Sequence, residues 1–412
     1  LNATPNHADI DRLFRSASAQ AVASLARAFN DFEQAEDAVQ DAYLQALQYW
    51  SSHDVPAHPA AWIYRTARNA AIDRLRREKT AAAKYALLAK LESLPGADET
   101  LEEVWMDDRL AMIFTACHPA LSDETRTALT LRFAAGLSVA EIASGLLCAP
   151  ATIAQRLVRA KRKIREAHIP FTVPAPAQLP DRLSDVLRVL YLIFNEGYAS
   201  STHAQRVRTD LCDEALRLVR LVDELMPGEP EIAGLHALIL FHDARRDTRI
   251  DEFGDLVLLQ DQDRTKWDAR KILRGITILD GALRHKNLGT YQIEAALASE
   301  HARAATWEET NWFAIREWYD RLMEIAPSPV VALNRAVAIA YTDGNAAGLS
   351  AMDDAARSGE LADYPSLYVA RAELLRRLGR IADAKAQYAR ANELTQSDAE
   401  RRHIEKHAQN LQ

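Results

Sequence analysis

Cysteine is scarce in this chain. Cys117, Cys148 and Cys212 are odd in number and far apart, so no disulfide framework is expected and the protein reads as one kept reduced. Long apolar runs are missing. The longest uncharged apolar run, around Leu235–Phe241, falls far short of the ~20 residues that span a bilayer. Fourteen glycines and fifteen prolines in 412 residues exclude a collagenous or low-complexity chain. β-Branched alternation is rare, so little sheet is expected. The stretch Leu1–Pro5 lacks the charged and apolar regions of a secretory leader. No glycine-rich phosphate loop, hydrolase elbow or convincing metal cluster occurs. Cys117 and His118 are adjacent, but nothing pairs them for nucleophilic chemistry. These absences point to a cytoplasmic protein with no catalytic residues, no metal and no cofactor.

What remains is ordinary globular composition, 48% hydrophobic and 26% charged, in a length that at roughly 100–200 residues each holds two to four domains. Apolar residues recur at three- and four-residue spacing almost throughout, which predicts an all-α protein. Punctuation divides it into a first block, 1–79, a looser stretch, 80–103, and a second block, 104–169. A proline-rich connector, 170–180, follows, and then a long helical domain, 181–412. The global charge of −8 argues against non-specific DNA binding, but it averages over unlike parts. From 181 onward there are 30 basic and 37 acidic residues, against 20 and 21 before. Within Pro150–His168, six arginines and lysines face Glu166 alone.

That basic stretch has the pattern of a recognition helix. Ser138-Val139-Ala140-Glu141 is a capping-box sequence that starts a short helix to Leu146. A turn at Leu147–Ala149 precedes Pro150, a residue suited to a first helical turn. Ile153, Leu157, Ala160 and Ile164 then form a narrow apolar stripe, while Thr152, Gln155, Arg156, Arg159, Arg162 and Lys163 take the opposite arc. One face packs and the other offers donors to base edges and phosphates. A solvated basic helix in an ordinary bundle has the same pattern.

The first block supplies context. Asp31–Leu47 is an amphipathic helix with Ala35, Ala38, Val39, Ala42, Ala46 and Tyr49/Trp50 on one side and Glu33, Asp37, Gln40 and Asp41 on the other. After a loop, Ser51–Pro59, a helix from Ala60 to Arg77 collects Trp62, Arg65, Thr66, Asn69, Asp73, Arg76 and Arg77 on one face. An aromatic ring, an amide and arginines suit contact with unstacked bases and backbone, although a tryptophan more often belongs to a core.

The runs AEDAVQDAYLQAL and PAAWIYRTARNAAIDRLRR resemble region 2 of the extracytoplasmic-function (ECF) sigma factors of bacterial RNA polymerase. LTLRFAAGLSVAEIASGLLCAPATIAQRLVRAKRKIRE is similar to their region 4. Order and spacing match as well. YLIFNEGYAS, LLQDQDRTKWD and PSPVVALNRAVAIA look like segments of the C-terminal extension of one sigma subgroup. The resemblance implies core RNA polymerase and promoter DNA as partners. Asp37, Gln40, Asp41 and Leu44 would dock on the coiled coil of the largest polymerase subunit. The loop His53–Pro59 with Trp62, Asn69, Asp73, Arg74, Arg76 and Arg77 would read the melted promoter element about ten bases upstream, where a base is captured outside the stack. Thr152, Gln155, Arg156, Arg159 and Lys163 would read the element about thirty-five bases upstream as duplex. Arg162 and Arg165 suit phosphate or polymerase contact. Cys148 in the turn and Pro150 at the helix start depart from the family pattern.

In the extension, Val331–Ala347 and Pro365–Ala382 each read as a helix ending at a glycine turn, at a period suited to tetratricopeptide-like pairs, with Asp398–Gln412 as a cap. His236 and Asp243 share a helical face, as metal ligands or as satisfied core residues. Asp255, Asp261 and Asp263 have only the acid spacing of a calcium loop, without its glycine and terminal Glu. Glu196 could reach a buried edge. Three functions compete: a promoter-specificity subunit regulated by its own extension or by a protein or ligand bound there, a ligand-responsive transcription factor that binds duplex alone, and an enzyme in the extension. The acidic helix around Asp37 favours the first.

Overall fold

The computed structural model describes residues 18, 21–50, 55–77, 88–89, 91, 101–146, 148–199, 209–251, 257–285, 288–395 and 398–409. Every element of more than one turn among them is helical. The chain divides into two compact units, Leu1–Ile193 and Phe194–Gln412.

In the first unit, α1 covers 21–29 and is followed by α2, Phe32–Tyr49, and α3, Pro59–Arg77. Asp31 starts α2 by accepting the Glu33 and Gln34 N–H groups at 2.7 and 3.4 Å. Phe32, Ala35, Ala38, Val39, Ala42 and Ala46 are buried, as their spacing predicts. The expected pair at the end of that face splits: Trp50 is wholly buried and Tyr49 is exposed. α4 is Leu101–Ala116, so its first turn occupies the end of the stretch read as linker. A 0 % exposed Leu91 accepts the Arg68 Nε–H through its carbonyl at 2.7 Å, so that stretch is tied to α3 as well. α5, Asp123–Leu129, runs into one π-turn, Thr130–Ala134, and Gly136 (φ 74°) ends it. α6, Val139–Gly145, opens with the capping box: Glu141 Oε2 accepts the Ser138 N–H at 2.7 Å and Ser138 Oγ accepts the Glu141 N–H at 3.2 Å. α7 is Pro150–Glu166 with proline in its first turn.

The proline-rich segment is anchored rather than free. Phe171 is 2 % exposed and meets Phe32 edge-on at 4.6 Å, and the Pro170 carbonyl accepts the Thr115 hydroxyl at 3.0 Å. α8, Leu179–Ala199, carries Pro180 in its first turn. Its first half belongs to the first unit. Asp185 pairs with buried Arg126 at 2.8 Å, Arg188 reaches Asp123 at 2.6 Å, and Arg182 donates to the Phe114 carbonyl at 2.5 Å. The unit boundary therefore falls inside α8, beyond the prolines that read as the connector.

The second unit continues with α9, Thr209–Leu225, and α10, Pro230–Ala244. α10 is buried around most of its circumference, with α9, α11 (Ala269–Ala282) and α12 (Thr290–Arg303) against it. Gly234 permits the close crossing of α12: a Cβ there would lie 2.6 Å from the Gln292 backbone nitrogen. α13 (Trp312–Ile325) follows, then two hairpins, α14–α15 (Pro329–Thr342, Asn345–Ala355) and α16–α17 (Pro365–Arg377, Ile381–Leu394), then α18 (Asp398–Gln409). Gly344 (φ 100°) and Gly379 (φ 74°) make the hairpin turns. The first helices thus stop at Thr342 and Arg377, and Ala347 and Ala382 belong to the next helices. Leu333, Ala336, Met352, Leu367 and Leu374 form a shared core between the hairpins.

Candidate functional site

α2 has two outward surfaces. On the first, Asp37, Gln40, Asp41 and Leu44 are all exposed, Leu44 by 58 %. They follow one another at three, one and three residues, which aligns them along one side of a helix. None forms a side-chain ion pair among the described residues. The second surface is engaged within the unit. Arg132, from the π-turn, grips Glu36 through Nε at 3.0 Å and Nη2 at 2.8 Å, and Lys161 of α7 reaches the other oxygen at 2.9 Å. Arg165 stands 3.4 Å from Glu33 and 3.7 Å from Asp31. Phe32 stacks on Phe133 at 4.1 Å beneath these pairs. The first and second blocks are therefore packed together, and Arg165, read as free for phosphate or polymerase, faces carboxylates of α2 instead.

On α3, Asn69, Asp73 and Arg76 line a cleft of about 370 Å³ with Arg68 and Ile72. Arg65 is exposed and Arg74 half-buried; Arg77 is the last residue of the helix, and its side chain lies outside the described residues. Trp62 is neither core nor fully exposed: it is half-buried, 5.2 Å from Trp50 and 6.2 Å from Tyr49 between ring centroids. The exposure of Tyr49 follows, since it supplies the outer ring of this stack. Of the loop, His53 and Asp54 lie outside the described residues, and Ala57 and His58 are exposed.

On α7 the buried side chains are Ile153, Leu157, Ala160 and Ile164, the stripe read from the sequence. Thr152, Gln155, Arg159, Arg162 and Lys163 are exposed and Arg156 is half-buried. Arg162 has only a loose pair with Glu166 at 3.7 Å, both largely in solvent, which contributes little. Val158 is 61 % exposed in the middle of this polar arc. The sequence reading passed over it; its signal was an apolar residue outside the buried stripe. Such a side chain suits contact with a thymine methyl. Ala149 occupies the N-cap of α7 and, having no side-chain acceptor, leaves the helix start without a side-chain cap.

Several other residues that the sequence singled out are held by the fold. Burial pushes the Cys117 thiol up to about 12, and its Sγ lies 3.4 Å from Thr130 Oγ1; it is no nucleophile at neutral pH. Asp243 is committed to Lys271 at 2.8 Å and Arg246 at 3.2 Å, while His236 Nδ1 faces Asp223 at 3.4 Å, so the two do not converge on a metal. Asp255 lies outside the described residues. Asp263 bonds the Thr265 hydroxyl and N–H at 2.6 and 3.1 Å, and Asp268 caps α11. Gln262, Thr248 and Trp267 are linked through 3.3 and 3.0 Å bonds, and Arg264 Nη1 donates to the His301 and Ala304 carbonyls at 2.6 and 2.8 Å. The run LLQDQDRTKWD is thus a strap that holds the ends of α10, α11 and α12.

Comparison with known proteins matches three segments of the chain. Residues 13–80 match sigma-70 region 2 and residues 111–164 match sigma-70 region 4. Residues 182–283 match a family of unknown function (DUF6596). An uncharacterized protein of Rhizobium meliloti is 39% identical over 96% of this chain and 94% of its own length. The ECF RNA polymerase sigma factor SigK of Mycolicibacterium vanbaalenii is 29% identical over 34% of this chain and 72% of its own. SigW of Bacillus subtilis, also an ECF RNA polymerase sigma factor, is 29% identical over 34% of this chain and 78% of its own. No solved structure matches.

Proposed function

The chain belongs to the ECF sigma factors, in a form with a long C-terminal extension, and from that premise we propose how its surfaces divide the work. As a sigma factor it is a non-enzymatic initiation factor that binds core RNA polymerase and promoter DNA. No helix among the described residues is long and apolar enough to cross a membrane; we place its work in the cytoplasm, with polymerase.

Asp37, Gln40, Asp41 and Leu44 dock on polymerase. The observation that carries this is the 58 % exposed Leu44 in line with two carboxylates that have no ion pair among the described residues: an apolar anchor with flanking charge gives affinity and register together. Asn69, Asp73 and Arg76, with Trp62, Arg74 and Arg77 on the same helix, take the melted upstream element, with the α3 cleft receiving an unstacked base. Thr152, Gln155, Arg156 and Arg159 read the second element in the major groove, and Arg162 and Lys163 hold its backbone. Two modest contacts on a platform held by polymerase gain effective concentration, which makes a net charge of −8 tolerable.

The C-terminal helical unit, tetratricopeptide-like in its hairpins, regulates the sigma portion. What supports this is a covalently joined unit as long as the sigma portion itself, Phe194–Gln412, with none of its residues needed for the contacts above. The test is binding to purified core polymerase by wild type and by Asp37→Arg/Asp41→Arg. Charge reversal is expected to weaken binding at least tenfold, and unaltered binding moves the interface off α2. Promoter-directed transcription by a chain ending after Ala199, compared with the full chain, tests regulation; equal activity removes that role.

A further inference from the structure

Among its described residues, the second unit contains a group of cations with no acid paired to them. Tyr198, near the end of α8, stacks on Phe194 with 5.1 Å between centroids. The Arg249 guanidinium lies 3.7 Å above the Tyr198 ring, and that of Arg245 lies 5.7 Å from the same centroid. The His242 ring is 5.5 Å from Tyr198, and its Nδ1 is 3.3 Å from Arg245 Nη2. Arg249 also donates to the Tyr198 carbonyl.

Neither Arg245 nor Arg249 forms an ion pair among the described residues. Buried Asp243 is taken by Lys271 and Arg246. Arg264 is satisfied separately by two carbonyls, and the charges of Glu308 and Glu309 act on it. Arg245 has one acceptor, a histidine nitrogen, for a five-donor guanidinium. It is the C-cap of α10, whose carbonyl end offsets only a fraction of one charge. Burial pushes the Arg245 guanidinium down from its ordinary value, with Arg249 adding to the effect. Burial and the same arginines hold His242 well below the usual imidazole range, and burial with Arg264 and Arg245 lowers His301 to about 4. Both imidazoles are neutral at pH 7. One polar atom of this group, Tyr198 Oη, on a residue 8 % exposed, is buried with no hydrogen-bond partner among the described residues. Buried donors are ordinarily paired, and paired guanidiniums without carboxylates are the usual means of holding an oxyanion.

We propose that Arg245, Arg249 and the Tyr198 hydroxyl, beside the His242 ring, form a binding site for a small organic oxyanion, a carboxylate or a phosphate monoester. The anion supplies the missing countercharge and accepts the unpaired hydroxyl proton. It ties the end of α8 to the end of α10 and to the segment after it. That this binding reports to the sigma portion rests on the regulatory reading above; the binding itself does not.

The experiment is thermal unfolding of the full chain in chloride, inorganic phosphate or succinate at equal ionic strength. Wild type is expected to gain several degrees in phosphate, succinate or both, and the responding anion distinguishes the two classes. Arg245→Met is expected to lose that gain and, in chloride, to melt no lower than wild type, because it removes an uncompensated cation. Tyr198→Phe keeps the ring and is expected to halve the gain or better. No gain with either anion, or a gain that survives Arg245→Met, overturns the site. A marked fall in the chloride melting temperature of Arg245→Met also overturns it, since the arginine is then a structural cation with its needs already met.

Discussion

Glu231 and Glu294 show how single side chains in the second unit are set against each other. Glu231, in the first turn of α10, accepts the Tyr291 and Gln292 N–H groups at 3.2 and 3.0 Å. It caps α12, whose own N-cap is a glycine. Glu294, one turn along α12, is withdrawn from water beside it; burial first, then the Glu231 charge, raises its carboxyl to about 7. A carboxyl raised in the folded state costs nothing where both states are protonated. Its penalty grows as pH rises from the unfolded value near 4.5 to the folded value near 7, and is full above that. Glu294→Gln is expected to stabilise the protein by roughly 1–3 kcal/mol at pH 8 and by almost nothing at pH 4.5. Melting curves across that range check it; a gain independent of pH sinks the account. At the same scale, Val158 and Leu44 are 61 % and 58 % exposed within polar helix surfaces.

At the scale of elements, helix starts and crossings decide where the surfaces point. The Ser138–Glu141 box fixes the start of α6, the helix that packs on α7, and on the proposed function it would bear on DNA only through the placement of α7. Ser138→Ala is expected to cost about 1 kcal/mol of stability and to weaken promoter binding at the distant element only. A footprint that loses both elements equally contradicts this. Gly234 sets the α10–α12 crossing, and Gly234→Ala is expected to destabilise the second unit by about 1–3 kcal/mol through overpacking, read as an earlier denaturant midpoint. The capping box, the stripe on α7 and the buried face of α2 were legible in the sequence because local spacing alone produces them. Tyr49 was misassigned because, at the end of a helix, the partner Trp62 and not the period decides which of two adjacent rings is buried.

For the whole molecule, the division of the chain has a practical consequence. Arg182, Asp185 and Arg188 of α8 hold Phe114, Arg126 and Asp123. A chain cut at Pro180 loses all three contacts, whereas one ending after Ala199 keeps them. The shorter form is expected to melt several degrees below the longer, by scanning calorimetry; equal melting points refute a role for α8 in the first unit. The packing of Glu36 against Arg132 and Lys161 also takes up part of the basic charge counted in Pro150–His168, that of Lys161. Some of it neutralises α2.

The sequence by itself determined that the protein is helical, which helices carry basic or acidic faces, and that it is a sigma factor with an extension, because periodicity, caps and region-specific runs are local properties of the chain. Only the tertiary structure decided that Arg165 faces α2, that the proline segment is pinned through Phe171, that the boundary lies within α8, and that Arg245 and Arg249 meet at Tyr198. Those facts depend on which residues far apart in sequence share a neighbourhood. Pairing, burial and countercharge are set by that neighbourhood, and no local pattern encodes it.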